Sequence, residues 1–175
     1  LASMTIGILV LVAGLDPGAN AGIVAVPMLL MGLGLGALAS QLGAVTVSAV
    51  PDSQSAEVGG LQNTATNLGA SLGTALIGSV LIATLSATIV AGIQSNPDVP
   101  AATKEQASTE LASGVPFLSD SQLRVALNEA SVSESTAQEI VDLNADARLE
   151  ALRVALALAA LLGLTALFFT GNIPR

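Results

Sequence analysis

Long runs without an ionisable side chain are the dominant pattern in this chain. The three runs lie between Asp16 and Asp52, between Glu57 and Asp98, and between Arg153 and Arg175. A helix needs roughly 20 apolar residues to cross the hydrocarbon of a bilayer, so each run is long enough for a span. Residues 23–39 and 154–169 are apolar or small on every side of a helix, whereas a helix of a soluble bundle keeps a polar face toward water. The pattern therefore predicts transmembrane helices rather than a soluble, Ala-rich bundle.

Turn-forming residues between the runs set the bounds of the predicted helices. The Asp-Pro-Gly sequence at 16–18 ends the first apolar stretch, because Pro removes a backbone donor and Gly permits a tight reversal. Pro-Asp-Ser at 51–53 and Asn-Pro at 96–97 end the next two helices. We therefore expect an all-α, multi-pass membrane fold with four spans, at about residues 1–15, 21–50, 57–93 and 149–171, followed by a tail at 172–175.

The predicted helices differ in how they fit a bilayer. The second is longer than the hydrocarbon core of about 30 Å, so we expect it to tilt or protrude, and we expect the third to leave the membrane before its end. The first begins inside an apolar run that has neither the basic segment nor the cleavage site of a signal peptide. We interpret it as the remainder of a span, and the chain as a piece of a longer protein.

Residues 94–148 differ in character from the apolar runs and predict a soluble, acidic, helical insert. All acidic residues other than Asp16, Asp52 and Glu57 lie between Asp98 and Glu150. Short helices are expected at 101–112, from the capping sequence Ser-Asp-Ser at 119–121 to residue 128, and at 134–146. The carboxylates are scattered without the spacing of a calcium loop. They therefore predict a solvated surface and no metal site.

The composition narrows the chemistry. The chain contains no Cys, His, Trp or Tyr, so it lacks the thiolate and imidazole ligands of metal sites and the usual nucleophile–base pairs. We therefore expect neither an enzyme nor a bound cofactor. The formal net charge of −8 opposes binding to nucleic acid. The expected partner is membrane lipid.

Glycine patterns predict close contact between helices. Gly32-Leu33-Gly34-Leu35-Gly36-Ala37 formally matches a dinucleotide-binding fingerprint, but it lies inside a long uncharged run with no strand before it. Small residues at four-residue spacing instead let two helix backbones approach closely. We therefore predict helix packing at Gly32 and Gly36 and, on the third helix, at Gly69 and Gly73.

The third helix also carries a polar face within its uncharged run. At about 100° per residue, one arc collects Asn63, Thr66, Asn67, Ala70 and Thr74, and the opposite arc collects Leu61, Leu68, Leu72 and Leu76. Uncharged amides in hydrocarbon need partners or water. Two interpretations remain open: the arc lines an aqueous cavity, or its side chains make hydrogen bonds between helices worth about 1 kcal/mol or less each. The candidates for a substrate cavity are Asn63, Asn67, Thr74 and, on the second helix, Gln41.

Several segments together resemble a known family. They are Gly32 through Gly36, Ala49-Val50-Pro51-Asp52, Gly59-Gly60-Leu61-Gln62-Asn63-Thr64, Leu68 through Leu76, Gly114-Val115-Pro116-Phe117 and Ala147 through Arg153. They resemble the C-terminal end of major facilitator superfamily transporters, and more narrowly the fourteen-helix drug:proton antiporter family. The resemblance covers nearly the whole chain. It implies that the four spans are the last four of a bacterial cell-membrane transporter.

The resemblance also implies a function and an orientation. The parent protein would export amphipathic small molecules in exchange for protons, with the acidic insert outside the cell and the C-terminus in the cytoplasm. By the positive-inside rule, the side of a span with more Lys and Arg lies in the cytoplasm. Arg148 and Arg153 flank the start of the last span and only Arg175 follows its end, so the rule favours the opposite orientation by a small margin. No titratable group lies inside the uncharged runs that form the predicted spans, so the proton site would belong to the N-terminal helices of the parent protein. The alternatives are a transporter of lipids or metabolites, and a membrane-anchored module whose insert binds an extracytoplasmic partner.

Overall fold

The computed structural model describes residues 1–16, 21–97, 101, 104, 105, 109, 117–129 and 133–170. The elements with described bounds are α1 (Ala2–Gly14), α2 (Ala21–Ser48), a short 3-10 helix (Asp52–Gln54), α3 (Ser55–Ser95), α4 (Asp120–Glu129) and α5 (Glu134–Thr170). All are helical, so the predicted all-α fold is confirmed for the described residues.

The bounds of the first three helices lie within two residues of the predicted ones at each end. The last helix differs from the prediction, because the expected short helix at 134–146 and the expected span at 149–171 form the single helix α5. No Gly or Pro occurs between Glu134 and Leu162, so nothing in that stretch ends a helix. The helix predicted at 101–112 falls largely outside the described residues.

Helix α2 continues without interruption through the glycine-rich sequence at 32–37. A dinucleotide fingerprint requires a strand before the glycines and a turn at them. The structure has helix on both sides, which excludes that interpretation.

Three helical segments, Ala21–Ser48, Asp52–Ser95 and Glu134–Thr170, are long and apolar enough to cross a membrane. Many of their large apolar side chains are exposed, such as Leu72, which is 70% exposed. Water disfavours such a surface, whereas hydrocarbon accepts it. The chain is therefore a membrane-embedded protein. The first of the four predicted spans corresponds to α1, which is apolar but has only 13 residues.

The described chain forms two compact units, one from Leu1–Ile77 with Leu156–Arg175 and the other from Gly78–Ala155. In the first unit, α1 packs closely against α2 through two glycines. A Cβ atom on Gly34 would lie 2.8 Å from the backbone nitrogen of Met4, and one on Gly7 would lie 2.8 Å from the carbonyl oxygen of Pro27. The Ser3 hydroxyl also donates a hydrogen bond of 2.8 Å to the carbonyl oxygen of Leu30. Only residues without a side chain fit at these two contacts.

The second unit has a core between the end of α3 and the beginning of α5. Leu85 is fully buried against Ala147 and Ala151 of α5. Further along α3, Gly92 faces Leu143, because a Cβ atom there would lie 2.5 Å from a methyl carbon of that leucine. The contact on α5 moves toward its N-terminus as the contact on α3 moves toward its C-terminus. The two segments are therefore antiparallel.

The beginning of helix α4 is held to α5 by Arg148 and Asn144. The Arg148 guanidinium donates to the Asp120 carboxylate at 2.5 Å and to the carbonyl oxygen of Leu118 at 3.3 Å, and its carbon lies 5.4 Å from the centre of the Phe117 ring. Asn144 donates to the same carbonyl oxygen at 3.2 Å. The predicted cap of this helix is confirmed, since the Gln122 backbone N–H donates to the Ser119 hydroxyl at 3.3 Å. Ser119 thus begins α4, and Arg148 fixes that beginning to α5.

We predict that Arg148→Ala releases α4 from α5. Hydrogen bonds to a charged group contribute about 1.5–3 kcal/mol each, although the half-exposed Asp120 recovers part of that by hydration. Hydrogen exchange of the α4 amides should accelerate by about tenfold or more. Arg124→Ala is the matched control, because Arg124 also reaches α5 but donates only to the exposed amide of Gln138. Equal acceleration in the two variants would contradict the role given to Arg148.

Candidate functional site

The polar face predicted on the third helix lies on the first part of α3, within the first compact unit. Asn63, Thr66, Asn67 and Thr74 are all exposed. The side chains form hydrogen bonds inside their own helix: the Asn67 amide donates to the Asn63 side-chain oxygen at 3.3 Å, and the Thr66 hydroxyl donates to the carbonyl oxygen of Gln62 at 2.9 Å. The two asparagines therefore form a pair at one turn's spacing.

This pairing leaves much of the hydrogen-bonding capacity unused. A side-chain amide offers two donor hydrogens and an oxygen with two lone pairs, and the pair uses one donor and one acceptor. Within the described residues, no hydrogen bond joins these amides to another helix. Both side chains are exposed, so their remaining donors and acceptors can bind water or a polar ligand.

The positions of Thr74 and Gln41 do not connect either residue to the asparagine pair. The Thr74 hydroxyl is exposed one turn beyond Ala70 on the same face. Gln41 is exposed on α2, where its amide donates to the hydroxyl of the adjacent Ser40 at a long 3.4 Å. The described residues show no hydrogen bond between Gln41 and the polar face of α3. The prediction that these four residues share one cavity remains a prediction.

The glycines predicted to pack helices have open space beside them. A Cβ atom built on Gly32, Gly36, Gly69 or Gly73 meets no described atom within 4 Å. Any helix that packs there lies outside the described chain, so this prediction also remains untested. Gly7 and Gly34, the glycines that form the close contact between α1 and α2, were missed because neither stands out in the small-residue pattern. Gly34 lies midway between the two predicted positions and therefore on a different face of α2.

A second packing motif was also missed. Ala147, Ala151 and Ala155 are buried at four-residue spacing on α5. The small-residue spacing that predicts close helix packing is present in this segment. The charged residues around it, Arg148, Glu150 and Arg153, instead indicated the boundary between the insert and the last span. The motif builds the core of the second unit.

The chemistry available on the polar face is limited to neutral hydrogen bonding. Its functional groups are amides and hydroxyls, and α3 has no ionisable residue after Glu57. Such a face can orient a polar or amphipathic ligand but cannot carry a proton. Among the described residues, no three acidic side chains stand together as the ligands of a metal ion would.

Both faces of the first part of α3 are exposed. The opposite, leucine-rich face is also open, with Leu61 and Leu72 among the most exposed large apolar side chains of the chain. One face is suited to apolar surroundings and the other to water or polar groups. The two faces of the first part of α3 are thus suited to different surroundings. Comparison with protein-family models, curated proteins and solved structures finds no match for this chain.

Proposed function

We propose that this chain is the C-terminal part of a bacterial multidrug efflux transporter of the major facilitator superfamily, which exports amphipathic compounds in exchange for protons. The observation that supports the proposal most directly is the polar face of α3. It places two paired asparagines and two threonines, all exposed, on one face of a membrane helix whose opposite face is rich in leucine. Side-chain amides are costly in contact with lipid, so a face that carries them is expected to line a pathway for water or a polar substrate.

The resemblance to the fourteen-helix drug:proton antiporters supports the same proposal. In this assignment the missing N-terminal helices cover the polar face and its glycines, and the substrate passes between them and α3 by alternating access. The absence of an ionisable residue between Glu57 and Asp98 assigns the proton-carrying group to those missing helices. The acidic insert faces the outside of the cell, and the C-terminus lies in the cytoplasm.

The test is drug susceptibility of efflux-deficient bacteria that express the complete gene, with and without an uncoupler. We predict that Asn63→Leu lowers resistance at least several-fold at unchanged abundance in the membrane. The substitution removes the amide that Asn67 pairs with and replaces a polar lining by an apolar one. Parallel loss of resistance and of abundance would instead identify Asn63 as a hydrogen-bonding contact between helices.

A threonine pair gives a matched control for the face itself. Thr64 and Thr66 are both exposed on α3, and each hydroxyl donates to a carbonyl of its own helix, at 3.0 and 2.9 Å. Only Thr66 lies on the polar arc. Under the proposal Thr66→Val lowers efflux and Thr64→Val does not. Equal effects would show that the polar face has no special role.

The alternative of a membrane-anchored interaction module needs a different variant. Deleting residues 98–146 does not test it, because residues 134–146 belong to α5 and Leu143 packs against Gly92. Neutralising the exposed Glu139, Asp142 and Asp146 as Gln, Asn and Asn leaves the backbone intact and removes three negative charges from the surface of the insert. Unchanged efflux supports the transporter, whereas loss of the biological effect without loss of membrane insertion supports the module.

A further inference from the structure

The side-chain amides of α3 are concentrated in its first part. Between Glu57 and Gln94 the residues that carry one are Gln62, Asn63 and Asn67. Asn63 and Asn67 lie on the polar face, whereas Gln62 lies about 100° from Asn63 around the helix. The polar face is therefore centred on one asparagine pair, and Gln62 provides the same functional group on another side of the helix.

The hydrogen bond within the pair determines which groups the pair presents. The Asn67 amino group donates to the Asn63 side-chain oxygen at 3.3 Å, and this is the bond that the two amides make within the part of the chain that the structure describes. Asn63 therefore keeps both hydrogens of its own amino group, and Asn67 keeps an oxygen with two lone pairs. The pair offers donors at one end and an acceptor at the other. A ligand that matches it contains a carbonyl, a hydroxyl or an amide.

Small residues flank the asparagine pair along the helix. Gly59 and Gly60 lie one turn before Asn63, and a Cβ atom built on either glycine would meet no described atom within 4 Å. Ala70 lies one turn after Asn67 and is exposed. These positions leave room beside the amides for the apolar body of a ligand. The polar face thus combines hydrogen-bonding groups with space for an amphipathic molecule.

The polar face carries no charge of its own. No ionisable residue follows Glu57 on α3, and Glu57 lies about 9 Å before Asn63 along the helix axis and about 120° around it. Removing a cation from water is costly unless an opposite charge or enough hydrogen-bond acceptors replace the lost hydration. An uncharged ligand does not carry this cost. The chemistry of the face therefore favours an uncharged ligand over a cation.

We propose that the pair of Asn63 and Asn67 binds a hydrogen-bonding group of an uncharged amphipathic substrate, namely an amide, a carbonyl or a hydroxyl. The pair thereby determines the selectivity for such compounds over lipophilic cations that lack these groups. This inference rests on the proposed export function, and it names the substrate class that this part of the transporter recognises.

The selectivity arises from the amides that a poorly matched ligand leaves unpaired. A site that forms hydrogen bonds with its ligand rejects an analogue without the matching group, because the polar groups of the site then lose water and gain no partner. Replacing an asparagine of the pair by leucine removes the hydrogen bond to the matching ligand. It also removes the penalty that the other ligand pays. The ratio of the two affinities is therefore the quantity that depends on the pair.

Equilibrium binding of two probes to the purified product of the complete gene tests this inference. Chloramphenicol is uncharged and carries an amide and hydroxyl groups beside an aromatic ring, whereas tetraphenylphosphonium is a lipophilic cation without donors or acceptors. Asn67→Leu keeps nearly the same side-chain shape and removes the amide. Gln62→Leu is the matched control, since it removes an amide from the same part of α3 but away from the polar face. Asn63→Leu repeats the measurement at the other end of the pair, in case Asn67→Leu does not accumulate.

In Asn67→Leu we expect the affinity for chloramphenicol to fall by about tenfold or more relative to the affinity for tetraphenylphosphonium, as for the loss of one or two hydrogen bonds. Gln62→Leu should leave this ratio nearly unchanged. An equal change for both probes, or no change, would overturn the inference, as would a wild-type protein that does not bind chloramphenicol. Absence of uncoupler-sensitive resistance in cells that express the complete gene would instead contradict the proposed function itself.

Discussion

Replacement of Gly34 by Leu is expected to separate α1 from α2. A Cβ atom at this position would lie 2.8 Å from the backbone nitrogen of Met4 and 3.0 Å from its Cβ. Because backbone cannot rotate away as a side chain does, the helices themselves must move apart. Overpacking of this kind typically costs about 1–3 kcal/mol and occasionally more, in addition to the loss of the hydrogen bond from Ser3 to Leu30.

The measurement uses a cross-link across the same interface. Cysteines introduced at Ser3 and Leu30, whose hydroxyl and carbonyl oxygens are 2.8 Å apart, should be joined efficiently by a short thiol-reactive linker. In the Gly34→Leu background we expect the yield to fall by about tenfold, in line with the free-energy cost. Gly36→Leu is the matched control, since it adds the same side chain to α2 at a position with open space. A similar loss with Gly36→Leu would refute the specific contact at Gly34.

Replacement of Leu85 by Ala is expected to destabilise the second unit by about 2–5 kcal/mol, the usual cost of truncating a fully buried leucine. Leu85 has no exposed surface and its neighbours Ala147 and Ala151 are too small to fill the space left behind. Helix backbones would have to move together to close the cavity. Hydrogen exchange of amides in the paired segments of α3 and α5 should therefore accelerate strongly.

Leu76→Ala is the control for this second prediction. It makes the same truncation on the same helix, but Leu76 is 47% exposed and loses fewer contacts. The expected effect is below about 1 kcal/mol, and lipid or detergent can occupy the vacated space. If both substitutions accelerated exchange equally, Leu85 would have no special place in the core. If neither did, the antiparallel packing of α3 on α5 would itself be wrong.

The polar face of α3 shows how far sequence reasoning reached at the candidate site. The helical period alone placed Asn63 and Asn67 on one arc, and the structure joins them by a hydrogen bond. Which other groups share a cavity with them depends on how the helices pack, and the periodicity of the sequence does not specify that packing. Gln41 illustrates this, because its polarity indicated the same cavity but its only described partner is Ser40.

The packing glycines show where sequence reasoning failed. Gly32 and Gly36 have the spacing typical of helix packing, yet Gly34 makes the close contact with α1. Small-residue spacing indicates that two helices can approach but does not choose the face they use. That choice follows from the position of the neighbouring helix, which contacts such as Ser3 with Leu30 help to fix.

The sequence by itself determined the all-α membrane fold and most of the helix bounds, because the length of an apolar run and the positions of Pro and Gly act locally. It also determined that α3 is amphipathic in its first part. Only the tertiary structure decided that α5 is continuous and that Arg148 holds the beginning of α4. The physical reason is that these features depend on contacts between residues far apart in the chain, such as Arg148 with Asp120, which the local pattern of apolar and polar residues does not specify.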